Sequence, residues 1–272
     1  MVIFPRAKIN IGLRIIGLRS DGFHNIQTIF YPIGLADALE YVINRKDAGS
    51  DRLTETGIPS GCRPGENIVI KALEKIREIH PLPFLKIHLH KTIPPGAGLG
   101  GGSADAACFM RSLNRYFELG LSPVSLKEIA ASLGSDCPFF IDNVPAYGEG
   151  RGEMLTPVDP VPGICHIIVL KPDVEVSTAE AYRNCKPGYD GRNLIDSYKT
   201  GVRTWKDSVY NDFEKSIFPE YPEIAHLKQS LSRIGAVYSS MSGSGSAVYG
   251  LFDRLPDIPR SMMPAIVYSG KF

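Results

Sequence analysis

Residues 94–107 read Pro94-Pro95-Gly96-Ala97-Gly98-Leu99-Gly100-Gly101-Gly102-Ser103-Ala104-Asp105-Ala106-Ala107, with five glycines in seven residues running straight into helix-forming sequence. A helix start carries backbone N–H groups without intrahelical acceptors, together with partial positive charge. Glycines let a ligand approach those groups closely, so the stretch describes a phosphate cradle. A Walker loop needs a lysine after its glycines, and none follows here. Gly96, Gly98 and Gly101 satisfy the dinucleotide spacing G-x-G-x-x-G, but that fingerprint needs a strand buried on both faces in front of it. The preceding segment, Leu85-Lys86-Ile87-His88-Leu89-His90-Lys91, alternates strictly, which predicts one wet face and favours antiparallel sheet. The candidate ribose-binding acid, Glu118, falls at a helix end rather than after a strand. No His-Arg-Asp or Asp-Phe-Gly segment supports a protein-kinase loop. The apolar helix behind the glycines argues against a mobile linker.

The rest of the chain narrows the class. At 272 residues and 43% apolar content there is enough for a sizeable core, as one large or two small domains. A net charge of +1 offers no footprint for nucleic acid or a charged membrane. The five cysteines (Cys62, Cys108, Cys137, Cys165, Cys185) are scattered with no C-x-x-C pair, which disfavours zinc or redox sites and suits a reducing cytosol. Arg6 and Lys8 interrupt the first apolar stretch, so neither a signal peptide nor a membrane span is expected.

Along the chain, strands are predicted over 3–18, 26–33 and 38–45, with a turn at Ser20-Asp21-Gly22 and Gly34 separating the last two. Asn67 is expected to cap a helix carrying Ile68, Ala72, Leu73, Ile76 and Ile79. Ala106, Phe109, Met110, Leu113 and Phe117 form the apolar stripe of the helix behind the glycines. Ser125-Leu126-Lys127-Glu128 reads as a capping box for a helix that Gly134 stops. Short strands are expected within 144–155. A proline cluster at Pro157, Pro160 and Pro162 marks a junction, giving domains 1–157 and 158–272, with a return of the final strand to the first domain left open. A strand over 165–170, helices over 204–217 and 223–234 and a central strand over 247–252 complete an α+β pattern with helices segregated from mainly antiparallel sheet.

Four polar segments accompany the loop. Lys8 and Asn10 share one face of the first strand, although a strand lysine is commonly an edge or snorkelling residue. Asp21-Gly22-Phe23-His24 is at least a turn bearing an aromatic. Asp136, two residues before Pro138, is either an N-cap or a functional carboxylate. Met241-Ser242-Gly243-Ser244-Gly245-Ser246 is a second glycine-rich turn before a buried strand.

In this order, these segments resemble the GHMP small-molecule kinase superfamily. The likeness runs through Pro5–Asn10, Arg19–His24, Gly98–Ser103, Leu133–Phe140, Asn211–Glu214 and Met241–Gly245, spanning roughly residues 5–252. The Lys8/Asn10 strand and the Asp-Gly-Phe-His turn are closest to members acting on cytidine diphosphate-linked methylerythritol in the non-mevalonate isoprenoid pathway. The resemblance implies a two-lobed α+β fold, with an N-terminal ribosomal-protein-S5-domain-2-like lobe, a C-terminal ferredoxin-like lobe and the active site in the cleft between them. It implies ATP as co-substrate, with magnesium, and phosphorylation of the substrate's 2-hydroxyl. ATP would be held by Pro94, Pro95, Gly96, Ala97, Gly98, Leu99, Gly100, Gly101, Gly102, Ser103 and Ala104, with Asn67 and Lys91. Lys8 and Asp136 would be catalytic, the lysine lying beside the carboxylate and the transferring phosphoryl group. Asn10, Phe23, His24, Thr178, Tyr182, Ser242 and Gly243 would bind the substrate, the cytosine stacking on Phe23 and Tyr182. A cytoplasmic monomer or weak homodimer is expected.

There are departures. Phe23 replaces the family's usual tyrosine and loses its hydroxyl. Ala104 stands where a second serine is common, which leaves Ser103 or water to help hold magnesium. The ending Tyr268–Phe272 matches no family pattern. Rival readings are a mevalonate- or homoserine-type kinase, an NAD-dependent oxidoreductase, which requires parallel strands around the loop, and an inactive nucleotide-binding module, against which Lys8 and Asp136 both stand.

Overall fold

A computed structural model describes residues 1–45, 49–185, 187–188 and 191–272. Along the chain run β1 (Val2–Ile3), β2 (Arg6–Leu18), β3 (His24–Ala36), β4 (Ala38–Ile43), β5 (Arg52–Gly57), α1 (Ile68–Arg77), β6 (Leu85–Lys91), α2 (Gly101–Tyr116), α3 (Pro123–Leu133), α4 (Cys137–Asp142), β7 (Ala146–Glu149) and β8 (Met154–Pro157). There follow β9 (His166–Leu170), α5 (Thr178–Asn184), α6 (Leu194–Lys199), α7 (Glu214–Glu220), α8 (Pro222–Arg233), β10 (Tyr238–Met241), β11 (Val248–Phe252) and β12 (Ile266–Lys271). They group into two compact units, neither of them one continuous segment. The first is Met1–Ala7, Leu35–Pro95 and Gly100–Val144; the second is Lys8–Gly34, Gly96–Leu99 and Pro145–Phe272.

In the first unit the sheet order is β1-β4-β6-β5. The strand before the glycine loop, β6, pairs antiparallel with β4 (Leu39↔Leu89) and parallel with β5 (Leu53↔Ile87). Its alternation therefore reports a one-sided sheet, not an all-antiparallel one. Leu85, Ile87, Leu89 and Lys91 turn inward, while the exposed His88 and His90 both bond Thr56 of β5 at 2.9 Å. Helices cover the inner face: Tyr41 of β4 meets Phe109 of α2 edge-on at 5.2 Å and bonds Ser112 at 2.8 Å. Asn67 caps α1 as predicted, its side chain accepting from Val69 N at 2.8 Å. The capping box expected at Ser125 is not formed. Ser122 is the cap, accepting from Ser125 N at 3.1 Å, because Pro123 suits a first helical position and its missing N–H costs nothing there. β3 runs through Gly34, and the break before β4 falls at Asp37, whose carboxylate turns inward.

The second unit holds two sheets, β2-β3-β7-β8 and β10-β11-β9-β12. The latter is antiparallel throughout, and β12 pairs with β9. β11 is central and buried along its whole length, as its two-sided apolar pattern predicted. Leu13, Ile15 and Ile26 pack with Ile168, Leu170, Val248 and Phe252 and with Ile217, Ile224 and Leu231 from α7 and α8. Gly34 lacks a Cβ because one would overlap the Tyr268 hydroxyl. The helix expected over 204–217 is broken. A 3₁₀ segment ends at Asp207, and α7 starts only at Glu214. Between them the backbone bonds β2 instead of itself, Leu13 N to Tyr210 O at 3.0 Å and Asp212 N to Leu13 O at 2.8 Å. The Asn211 side chain accepts from Phe213 N at 3.0 Å, a local bond that competes with helix.

Candidate active site

The glycine loop leaves β6 at Lys91 and enters α2 through Gly100, a left-handed cap (φ 71°) with no side-chain hydrogen bond. The first N–H groups of α2, from Gly101 to Ser103, therefore have no intrahelical acceptor, as an anion site requires. The glycines do different jobs. A Cβ on Gly98 (φ +76°) would overlap the Ser242 carbonyl oxygen, and one on Gly101 would lie 2.8 Å from Ile93 Cγ2. Those two are packing requirements. Gly96 has open space around it, and Gly102 meets only Ile68 Cγ2 at 3.6 Å, so these two leave room for a ligand. Ala97, Leu99 and Ala104 are buried and can offer only backbone.

In the first unit the Ser103 side chain hydrogen-bonds the Cys137 thiol. Burial pushes that thiol's pKa up to about 11, against the Ser103 bond. The start of α2 is thereby tied to the start of α4, immediately after Asp136. Asp136 occupies the N-cap position of α4 but its side chain makes no capping bond, so the capping alternative does not account for the carboxylate. Asn67 also donates to Glu55 Oε1, and Glu55 Oε2 accepts from Ser60 at 2.6 Å. The Lys91 ammonium is buried between the Asp37 and Asp105 carboxylates.

The second unit carries the other predicted residues on β2, at the turn into β3, on α5 and on the turn after β10. Lys8 and Asn10 are 3% and 2% exposed. Lys8 Nζ donates to Asn10 Oδ1 and, at 3.0 Å, to Gly98 O, and stands 5.4 Å from the Phe30 ring centre. Asn10 Nδ2 donates to Thr28 Oγ1 at 2.9 Å, and Thr28 Oγ1 donates to Gly12 O at 2.7 Å, which fixes the amide orientation. Ser242 Oγ accepts from Asn10 N at 3.2 Å and donates to Gly98 O at 2.8 Å. Gly243 closes this turn, with room for a Cβ limited by Asn10 Oδ1 at 3.3 Å. Asn211 holds the turn from outside, donating to Met241 O at 2.9 Å and Gly243 O at 2.7 Å.

At the start of β3 the turn is built by charge. Arg19 pairs with Asp21 at 3.0 Å, and Asp21 accepts from Phe23 N at 3.1 Å. The Arg19 hydrogen bond, followed by the Phe23 amide, holds the exposed Asp21 carboxyl below its ordinary range. Phe23 is 52% exposed, with the Arg151 guanidinium 4.9 Å from its ring centre. His24 stacks on Tyr182 at 5.1 Å, and Tyr182 meets Phe213 edge-on at 4.8 Å. Thr178 Oγ1 bonds Ser244 Oγ at 3.0 Å. Sequence reasoning missed Thr28, Asn211's hold on the turn, Arg151 and the carboxylates around Lys91. Asn211-Asp212 was visible as a polar pair inside an apolar stretch; the others gave no local signal. Among the described residues no cluster of three His, Cys, Asp or Glu side chains could hold a metal ion.

Comparisons with known proteins give the family. The family described as GHMP kinases N terminal domain matches residues 67–147, and GHMP kinases C terminal matches 199–260. The chain is 46% identical to 4-diphosphocytidyl-2-C-methyl-D-erythritol kinase of Parabacteroides distasonis, covering 93% of this chain and 92% of that one. It is 45% identical to the protein of that name from Bacteroides thetaiotaomicron, covering 96% and 95%. A solved 4-(cytidine 5'-diphospho)-2C-methyl-D-erythritol kinase superposes with a TM-score of 0.77 at 33% identity over 92% of this chain and 90% of that one. Streptococcus pneumoniae phosphomevalonate kinase, at 10% identity and TM-score 0.68 over 100% of both chains, shares the fold. These likenesses fix the α+β GHMP kinase fold and remove the oxidoreductase reading, and the chain belongs to the 4-diphosphocytidyl-2-C-methyl-D-erythritol kinase family of the GHMP kinases.

Proposed function

We propose that this chain transfers the γ-phosphoryl group of ATP to the 2-hydroxyl of 4-diphosphocytidyl-2-C-methyl-D-erythritol, releasing ADP, as a step of the non-mevalonate route to isoprenoid precursors. Family membership makes it an ATP-dependent small-molecule phosphotransferase. One observation carries the substrate choice. The Lys8–Asn10 pair on β2, the exposed Phe23 just before the neighbouring strand β3, and the stack of His24 at the start of β3 on Tyr182 of α5 all belong to one unit. That arrangement offers a cation and an amide to a polar acceptor and flat faces to a pyrimidine.

Phosphoryl transfer rests on positioning and on stabilising spread negative charge. The N–H groups at the start of α2 and around Gly96 receive the ATP phosphates. Lys8, buried and held by Asn10 and the Gly98 carbonyl, counters charge on the transferring group. Asp136 orients the acceptor hydroxyl and takes its proton late in the transfer, because a carboxylate is a far weaker base than an alkoxide. Asn10 and His24 fix polar groups of the substrate, Phe23 and Tyr182 cover the base, and Thr178, Ser242 and Gly243 line the same side. Among the loop side chains from Pro94 to Ala104 only Ser103 bears an oxygen, which fits a magnesium ion held mainly by phosphate and water. Bound there, the ion would neutralise phosphate charge. The net charge of +1 supports a partner that is neither nucleic acid nor an anionic membrane, and no helix among the described residues is long and apolar enough to cross one. The reading takes the enzyme to be a cytoplasmic monomer or weak homodimer.

ADP formation with the cytidylated erythritol, compared with mevalonate and homoserine, tests the reading. Turnover confined to the first substrate supports it. Turnover confined to either of the others overturns it.

A further inference from the structure

The phosphoryl-transfer reading leaves no chemical task for three of the most deeply buried charged side chains, and all three lie in the first unit. Lys91, Asp37 and Asp105 are 4%, 0% and 1% exposed. Lys91, the last residue of β6, donates to Asp37 Oδ2 and, at 2.7 Å, to Asp105 Oδ2. Asp37 Oδ1 accepts from the backbone N–H groups of Thr92 at 2.6 Å and Ile93 at 2.8 Å. The Thr92 hydroxyl donates to Ala36 O at 2.6 Å.

The positions of these residues matter more than their number. Thr92-Ile93 are the last residues before Pro94, where the glycine loop begins. Asp105 sits in the second turn of α2, just after the loop ends. The network thus ties the two ends of the loop to each other and to the corner at Asp37. Gly101 belongs to the same device, because a Cβ there would stand 3.2 Å from Lys91 Nζ. A loop of five glycines has much backbone freedom to lose on ordering, and fixing its ends removes part of that loss before a ligand arrives.

We propose that Lys91, Asp37 and Asp105 form a buried clip that closes the mouth of the glycine loop, and that Asp105 is a positioning residue for nucleotide binding. This rests on the reading that the loop holds ATP. It gives Lys91 an indirect part in ATP binding, through the loop's shape. A buried ion pair contributes little net stability on its own, so a role in fixing one conformation is what the charges offer.

Two carboxylates share one ammonium, and the charge is balanced when one carboxylate carries a proton. Burial, with Asp37 adding to it and Lys91 opposing it, raises the Asp105 pKa to about 8. Its Oδ1 is buried without a hydrogen-bond partner, which also disfavours the charged form. Burial alone would lower the Lys91 pKa, but Asp105 and Asp37 outweigh it and the net shift is upward. The titratable groups facing Asp105 are Lys91 from β6, Asp37 from the corner and Cys108 on α2 itself. α1 buries only Val69, Ala72, Leu73 and Ile76, α3 only Leu126 and Ala130, and α4 one thiol, Cys137.

The test is direct titration of ATP binding to the whole chain, with no acceptor present. Asp105→Ala is expected to weaken ATP binding about tenfold, as loss of one loop-fixing contact would, while binding of the cytidylated substrate stays unchanged. Asp105→Asn keeps the shape of the side chain and an oxygen that accepts from Lys91, and is expected to restore most of that affinity. Asp105→Leu fills a similar space with no acceptor and is expected to bind ATP as weakly as Asp105→Ala, for which it stands in if that variant does not fold. A folded Asp105→Ala or Asp105→Leu variant with unchanged ATP affinity overturns the clip. So does an Asp105→Asn variant that loses as much ATP affinity as the variants without an acceptor. Because no acceptor is used, a chain that binds ATP in this way but phosphorylates another alcohol would leave the clip standing and refute only the substrate reading.

Discussion

Replacing Gly98 by alanine separates the two uses of glycine in the loop. At φ +76° any other residue pays about 1–2 kcal/mol in backbone strain. The added Cβ would also meet the Ser242 carbonyl, which cannot retreat easily. Asn211 holds the flanking Met241 and Gly243 carbonyls at 2.9 and 2.7 Å, and Ser242 itself bonds Gly98 O at 2.8 Å. If the two backbones separate instead, Gly98 O loses that bond and the 3.0 Å bond from Lys8. Those are worth about 0.5–1.5 and 1.5–3 kcal/mol, the second because its donor is charged. The total is about 3–6.5 kcal/mol. Gly96→Ala is the control: φ is +65° with open space around it, so only the strain of about 1–2 kcal/mol applies. At about 2–4 °C per kcal/mol, calorimetry should show Gly98→Ala melting well below Gly96→Ala, by roughly 4–18 °C. A coupled ADP assay should show kcat for Gly98→Ala down by about 10², because Lys8 loses the carbonyl that aims it. The reasoning fails if the two variants melt together and Gly98→Ala keeps its kcat.

Three further outcomes follow from the site. Asp136→Asn should lower kcat by about 10²–10⁴ and leave ATP affinity unchanged in an equilibrium titration; near-normal turnover would remove Asp136 from catalysis. Phe23→Ala should raise KM for the cytidylated substrate up to about tenfold, the worth of one aromatic stack, and leave KM for ATP alone; steady-state kinetics with each substrate varied decide it. Asn211→Leu strips the donor from two carbonyls and the acceptor from Phe213 N, a loss of about 3 kcal/mol at about 1 kcal/mol per bond. Its denaturation midpoint should fall accordingly, and an unchanged midpoint would mean the turn after β10 does not depend on Asn211.

Local chemistry made much of this protein legible from sequence. The alternation of residues 85–91, the Asn67 cap and the two-sided apolar run of β11 each depend on near neighbours, and each holds in three dimensions. Expectations failed where distant backbone competed. Tyr210 and Asp212 exchange helix bonds for bonds to β2, and no propensity within 204–217 reports that strand. β5 passed unnoticed because Arg52–Gly57 is polar and exposed along much of its length, held at the sheet edge by its parallel pairing to β6. The same limit applied to the site. Lys8, Asn10 and the glycines stood out by type and position. The clip did not, because Asp37 and Asp105 lie far from each other in sequence and look like ordinary polar residues until Lys91 brings them together.

The central claim, phosphoryl transfer to the 2-hydroxyl of the cytidylated erythritol, is read most directly from the product by proton-coupled phosphorus NMR. Carbon 2 bears the methyl group and no hydrogen, so a phosphomonoester there gives a singlet without three-bond proton coupling. The account predicts that singlet appearing in step with ADP. A doublet or triplet, marking a phosphoryl group on a carbon that carries hydrogen, or ADP released with no new phosphomonoester, would contradict it.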